Sequence, residues 1–264
     1  MVKVSHEVPI CLLDKSRDFN DYDYCLPHLL DENLKYRRFF TKSKEDGRYI
    51  IMDNSLHELG KAYDSSRLLY WISELRPNEF IVPDVWEDMK GSVKNAEEWV
   101  DIELPVGVEK VAVIQAKTLH EAFECTKIYK KLGYKKIAYS YGASYYNDIC
   151  PHPNKDLGKA LGRIYVISTL HKQGILTDND RVHLLGCAVP QEFGWYQRIE
   201  CIESIDTSNP IMSTLEGIPY KDFGLDEKPI ININDSIERA EASDFDKKLL
   251  DENIKKFRTI NYLK

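Results

Sequence analysis

No two cysteines stand in a CxxC arrangement; the six lie at Cys11, Cys25, Cys125, Cys150, Cys187 and Cys201. That spacing argues for neither a zinc site nor a disulfide framework, so the expectation is a metal-free protein of the reducing cytoplasm. No apolar stretch approaches the ~20 residues of a membrane span, and Met1 to Glu7 lack the apolar core of a signal peptide. A membrane partner is therefore not expected. Low-complexity tracts, repeats and linkers are lacking too, and 264 residues suit one large α/β domain as comfortably as two small ones. An excess of positive charge is also missing. The net charge of −7 excludes a protein coated in base, although a local patch is enough to grip phosphate.

Two such patches are present. Lys35, Arg37, Arg38, Lys42 and Lys44 interleave with Tyr36, Phe39 and Phe40, which reads either as a nucleic-acid contact or as an amphipathic helix start. Lys127, Lys130, Lys131, Lys135 and Lys136 gather near a helix end, where the plain reading is a solvated face favoured by the helix dipole.

The principal signal is a series of short apolar runs with polar ends. They read Ile50–Asn54, Phe80–Asp84, Val111–Gln115, Ile137–Ser140, Val182–Gly186 and Ile202–Asp206. Runs of this length between segments of helical periodicity read as buried parallel strands. A first strand is expected at Val8 to Leu13, followed by a long basic and aromatic connection that takes the opening region to about residue 48. Pro229 to Ile233 is the candidate eighth strand. Helices are expected over Ser65 to Leu75, Ser92 to Ile102, Thr118 to Leu132, Asp156 to Gln173 and, at the end, 245–264. This alternation predicts a single α/β domain, a (β/α)8 TIM barrel over 1–264. In such a barrel the C-terminal ends of the strands form the mouth that carries the chemistry.

Asp53, Asp84, Gln115 and Asp206 all occupy such ends. A lone aspartate after a strand is often only a helix cap; three of them plus a glutamine in corresponding places favour a site. Asp53 and Asp206 suit chemistry at an anomeric carbon, one carboxylate as nucleophile and one moving protons. Asp84 and Gln115 suggest base recognition, since an aspartate can accept hydrogen bonds from a purine edge and a glutamine amide can donate to a ring carbonyl. Trp86, Tyr141, Phe193 and Trp195 are aromatic groups available to stack on a heterocycle, although each alone is more often a packing residue.

The order of these signatures resembles the tRNA-guanine transglycosylase superfamily, closest in kind to the compact, phage-type 7-deazaguanine DNA transglycosylases. The most specific match is Val182-His183-Leu184-Leu185-Gly186-Cys187-Ala188-Val189-Pro190, followed by Ser204-Ile205-Asp206-Thr207-Ser208. Ile51-Met52-Asp53-Asn54-Ser55, Pro83-Asp84 and Ile114-Gln115 are similar to the family's other motifs, and Tyr141-Gly142 more loosely so. The resemblance spans residues 50 to 215. It implies a TIM barrel with Asp206 as nucleophile, Asp53 handling protons, and Asp84, Gln115, Gly142, Leu185 and Gly186 binding the base. It implies no cofactor.

Members acting on tRNA carry a cysteine–histidine zinc site after the nucleophile, whereas this chain has no cysteine beyond Cys201. The zinc subdomain is accordingly expected to be lacking. The paired glycines of the first aspartate motif are replaced by Ser55-Leu56, and His57 stands where an aromatic stacker is expected. The resemblance therefore implies replacement of guanine in DNA by a 7-deazaguanine such as preQ0, in the host cytoplasm if the chain is phage-encoded. Exchange on tRNA is the alternative, and a homodimer is a possible assembly. Other readings are a nucleosidase that transfers the sugar to water, and a non-catalytic nucleic-acid-binding homologue.

Overall fold

The computed structural model describes residues 2–263. Among them eight strands alternate with helices: β1 (Lys3–Ser5), β2 (Asp23–Cys25), β3 (Ile50–Met52), β4 (Glu79–Ile81), β5 (Glu109–Ile114), β6 (Lys136–Ser140), β7 (Arg181–Leu185) and β8 (Ile202–Asp206). The sheet order is β1-β8-β7-β6-β5-β4-β3-β2. This is the α/β, TIM-barrel-like (β/α)8 class that the alternation predicted.

Two compact units make up the chain. One runs from Tyr22 to Ser140; the other joins the chain up to Asp21 with the chain from Tyr141 onward. In the first unit β2 to β6 pair in parallel with their sequence neighbours. Its core is the apolar runs themselves, with Ile51, Met52, Phe80, Ile81 and Val111 to Ile114 all buried. Helix Ser65–Leu75 buries Leu68, Trp71, Ile72 and Leu75, the i, i+3, i+4, i+7 stripe of an amphipathic helix. Each such burial contributes about 1.5–3 kcal/mol. Asp64 starts that helix by accepting from Arg67 N at 3.0 Å, and Thr118 caps Leu119–Lys131 through Glu121 N at 3.1 Å.

In the second unit β8 lies between β1 and β7, with Lys3 opposite Ser204, Ser5 opposite Asp206 and His183 opposite Ser204. Helix Lys155–Lys172 packs closely on helix Tyr145–Ile149. Gly162 permits this approach, since a Cβ there would lie 2.3 Å from Tyr146 O.

Both ends of the predicted strand list are corrected. Val8 to Leu13 is helical from Ile10 onward, and the first strand is the shorter Lys3–Ser5. Pro9 within the expected run has no N–H to give a ladder. The long connection before residue 48 holds a strand of its own, β2, and two helices, Pro27–Glu32 and Leu34–Glu45. Pro229 to Ile233 forms no strand; Ile233 opens a short helix that ends at Ser236. Lys136 is corrected as well. It belongs to β6 and is fully buried, its Nζ 2.6 Å from Glu79 Oε2, rather than on a solvated helix face.

Candidate functional site

In the unit Tyr22–Ser140, Asp53 follows β3 directly, and its N–H donates to Cys25 O at 2.8 Å, which ties the end of β3 to β2. Its side chain is half-buried. The next residue, Asn54, was not singled out by the sequence and is the centre of the local structure. Its amide nitrogen donates to Asp84 Oδ1 at 2.6 Å and to Val82 O at 3.0 Å. Its carbonyl accepts from Leu56 N at 2.9 Å and closes a turn over Ser55.

Ser55 occupies the left-handed region at φ 57°. A non-glycine residue there costs about 1–2 kcal/mol, and Ser55 is held by a 2.8 Å bond between its Oγ and His28 Nδ1. The serine that replaces the expected glycine thus keeps a glycine-like backbone.

Asp84 is 5% exposed. Asn54 holds one of its oxygens, and Gln115 Nε2 donates to the other at 2.6 Å. Burial pushes its carboxyl up from 3.8 to about 6, against the two amide bonds that favour the ionised form. Gln115 Oε1 in turn accepts from Glu87 N at 2.9 Å. Glu87 is itself left-handed at φ 48°. Two strained turns therefore flank one buried carboxylate, a pattern typical of binding sites. Trp86, in the second turn, is 42% exposed.

In the other unit Asp206 ends β8 and is 5% exposed. Its Oδ1 lies 2.9 Å from His183 Nε2, and His183 Nδ1 lies 2.8 Å from Ser204 Oγ. Both His183 and Ser204 are buried. Oδ2 of Asp206 has no hydrogen-bond partner among the described residues. Ser5, in register opposite Asp206, has a fully buried hydroxyl that lacks a partner among them. His183, like Asn54, was not expected as a site residue. The signal was available: Ser204 and Asp206, two apart on a strand, share a face.

Leu185 and Gly186 serve the framework here. Arg163, fully buried, donates to Leu185 O at 2.9 Å and to Gly186 O at 2.8 Å, and its Nε pairs with Glu192 at 2.6 Å. Those two carbonyls are taken. Gly186 sits at φ 59°, and a Cβ there would lie 2.4 Å from the Tyr141 ring. That ring is also covered by Lys228, whose Nζ donates to Tyr141 OH at 2.5 Å. Gly142 lies half-buried in the loop after β6. Phe193 is a packing residue, the plainer of its two readings: it is 6% exposed and packs edge-on against Phe257. Trp195 stays 38% exposed.

The basic stretch is helix Leu34–Glu45, as the amphipathic-helix reading of the sequence had it. It buries Tyr36, Phe39 and Phe40. Arg37 donates to Leu30 O at 2.6 Å and lies over the Trp71 ring. Lys42 pairs with Asp46, and Lys44 donates to Glu74 O. Lys35, Arg38 and Lys42 share an exposed basic face, while Lys44 lies on the opposite side of the helix, against Glu74.

No protein-family model matches this chain, and no curated protein matches it either.

Proposed function

We propose that the chain is a base-exchange glycosyltransferase of the guanine transglycosylase kind, acting on guanine in DNA and installing a 7-deazaguanine such as preQ0. The observation that carries this reading is the state of Asp206: a buried carboxylate at a strand end, one oxygen bonded to His183 and the other without a partner among the described residues. That is the form a carboxylate nucleophile needs. Asp53 moves the protons, and Asp84 with Gln115 reads the purine edge. The exposed bases on one side of helix Leu34–Glu45, Lys35, Arg38 and Lys42, contribute phosphate contact. On duplex DNA the target base must leave the stack first.

A second reading is hydrolysis. The Gln115 amide and the Leu185 and Gly186 carbonyls are already engaged within the protein, so a nucleosidase that releases the base to water needs fewer base contacts than exchange does. One experiment separates the readings. The protein is incubated with labelled preQ0 and either guanine-containing duplex DNA or tRNA, with free nucleoside as a third arm. Label in DNA supports the proposal, and label in tRNA moves the substrate. Free guanine released without incorporation supports hydrolysis, and no reaction in any arm overturns enzymatic base chemistry.

A further inference from the structure

His183 lies on β7, opposite Ser204 in the register of β8. Ser204 and Asp206 are two residues apart, so both side chains reach the same face as the histidine ring. Both ring nitrogens are engaged, Nδ1 with Ser204 Oγ and Nε2 with Asp206 Oδ1. A carboxylate only accepts, so Nε2 carries a proton, and with the ring neutral the Ser204 hydroxyl donates to Nδ1. The donors run from Ser204 through His183 and end on Asp206. This is not the relay of a serine hydrolase. Ser204 is 2% exposed and stands at the far end of the ring from the carboxylate, where it feeds a proton toward the imidazole and offers no open nucleophile.

From this geometry we infer that His183 is a positioning residue for Asp206. Its Nε2–H fixes Oδ1, leaves Oδ2 as the attacking oxygen, and stabilises the carboxylate when it is released. The inference rests on the base-exchange reading. In the first displacement a bond forms between Oδ2 and C1′, the C1′–N9 bond breaks, and its electron pair leaves with guanine, which takes a proton from Asp53. In the second, the ring nitrogen of the incoming base bonds to C1′ and gives its proton to Asp53. The C1′–Oδ2 bond breaks, and its pair returns to Asp206.

Between the two steps Oδ1 is the carbonyl oxygen of a neutral ester, a weaker acceptor than a carboxylate. The Nε2–H bond therefore strengthens as the second displacement proceeds and lowers that barrier. In the first step its contribution is alignment. Loss of the donor stalls the enzyme as the sugar ester.

The test compares wild type, His183→Phe, His183→Gln and Ser204→Ala on a labelled guanine-containing oligonucleotide with preQ0 present. His183→Phe keeps a flat ring and removes the donor; it should slow exchange about tenfold or more while raising the fraction of protein trapped as a covalent adduct. His183→Gln, whose amide donates, should restore exchange and reduce the adduct. A merely structural histidine would lower both together. A second readout needs no activity: nitrogen-15 spectra of histidine-labelled protein, with His183→Phe for assignment. They should show His183 protonated at Nε2 with Nδ1 as an acceptor, and Ser204→Ala should move the Nδ1 signal. A proton on Nδ1 with none on Nε2 overturns the inference, as does His183→Phe with wild-type exchange and adduct levels. If wild type neither exchanges nor forms an adduct, the base-exchange reading fails and the catalytic role falls with it. The nitrogen spectra still decide whether His183 holds Asp206.

Discussion

Gln115 donates its amide to Asp84 at 2.6 Å and accepts the N–H of Glu87 on its other end, so the residue expected to read a base is already engaged at both ends of its amide. A purine edge must share or displace these bonds, and Asp84 is the group left to attract it. The state of that carboxylate therefore governs the site.

Burial raises the Asp84 carboxyl to about 6, so the folded protein holds this proton more tightly than the unfolded chain. Stability is then lost as pH rises from 3.8 toward 6, and the loss persists above that window. At about 1.4 kcal/mol per pH unit of displacement, the effect is roughly 3 kcal/mol. Urea unfolding of wild type and Asp84→Asn at pH 4 and pH 7 should show the two stabilities diverging by that amount, whatever their constant offset. Parallel behaviour at the two pH values contradicts it.

Asp206→Asn and Asp53→Asn should fail differently. The first should leave no covalent adduct with a guanine-containing oligonucleotide on a denaturing gel. The second should still bind the oligonucleotide but exchange its guanine about 10²–10⁴-fold more slowly, the usual worth of a proton-transfer group. Adduct formation by Asp206→Asn would remove it as nucleophile.

Lys136→Met leaves Glu79 buried without its partner and should cost about 3–5 kcal/mol in denaturant unfolding. Lys136→Met combined with Glu79→Leu should recover most of that loss. A double variant as unstable as the single would show that the pair is not what the lysine is there to satisfy.

Gly186→Ala meets two obstacles, a backbone at φ 59° and the Tyr141 ring 2.4 Å from the new carbon. The backbone alone costs about 1–2 kcal/mol, so a larger fall in stability is expected. Tyr141→Ala in the same chain should relieve only the steric part. A loss no greater than the backbone cost would mean that the ring moves freely aside.

The six apolar runs were legible because each is buried, although the strands stop short of Asp53, Asp84, Gln115 and Gly186, at Met52, Ile81, Ile114 and Leu185. Helix Ser65–Leu75 was legible from its stripe, to the residue at both ends. β1 and β2 were not. Each is three residues long and mixes polar with apolar side chains, Lys3-Val4-Ser5 and Asp23-Tyr24-Cys25, and so has no run to detect. Ile230 and Ile231 mimicked such a run from a loop, where Ile230 is 94% exposed. In the site, the carboxylates were read from their positions, while Asn54 and His183 were missed. Their roles depend on partners 30 and 23 residues away, a separation that no local spacing reveals.

Because β8 stands between β1 and β7, the order of synthesis matters. A ribosome that has reached Ser140 has made every strand from β2 to β6, each beside its partner in the chain. Lys3–Ser5 emerges before all of them, yet its partner strand is complete only when Asp206 has been made. The first strand waits through some two hundred residues of translation, and the last unit to close is the one that holds the candidate nucleophile.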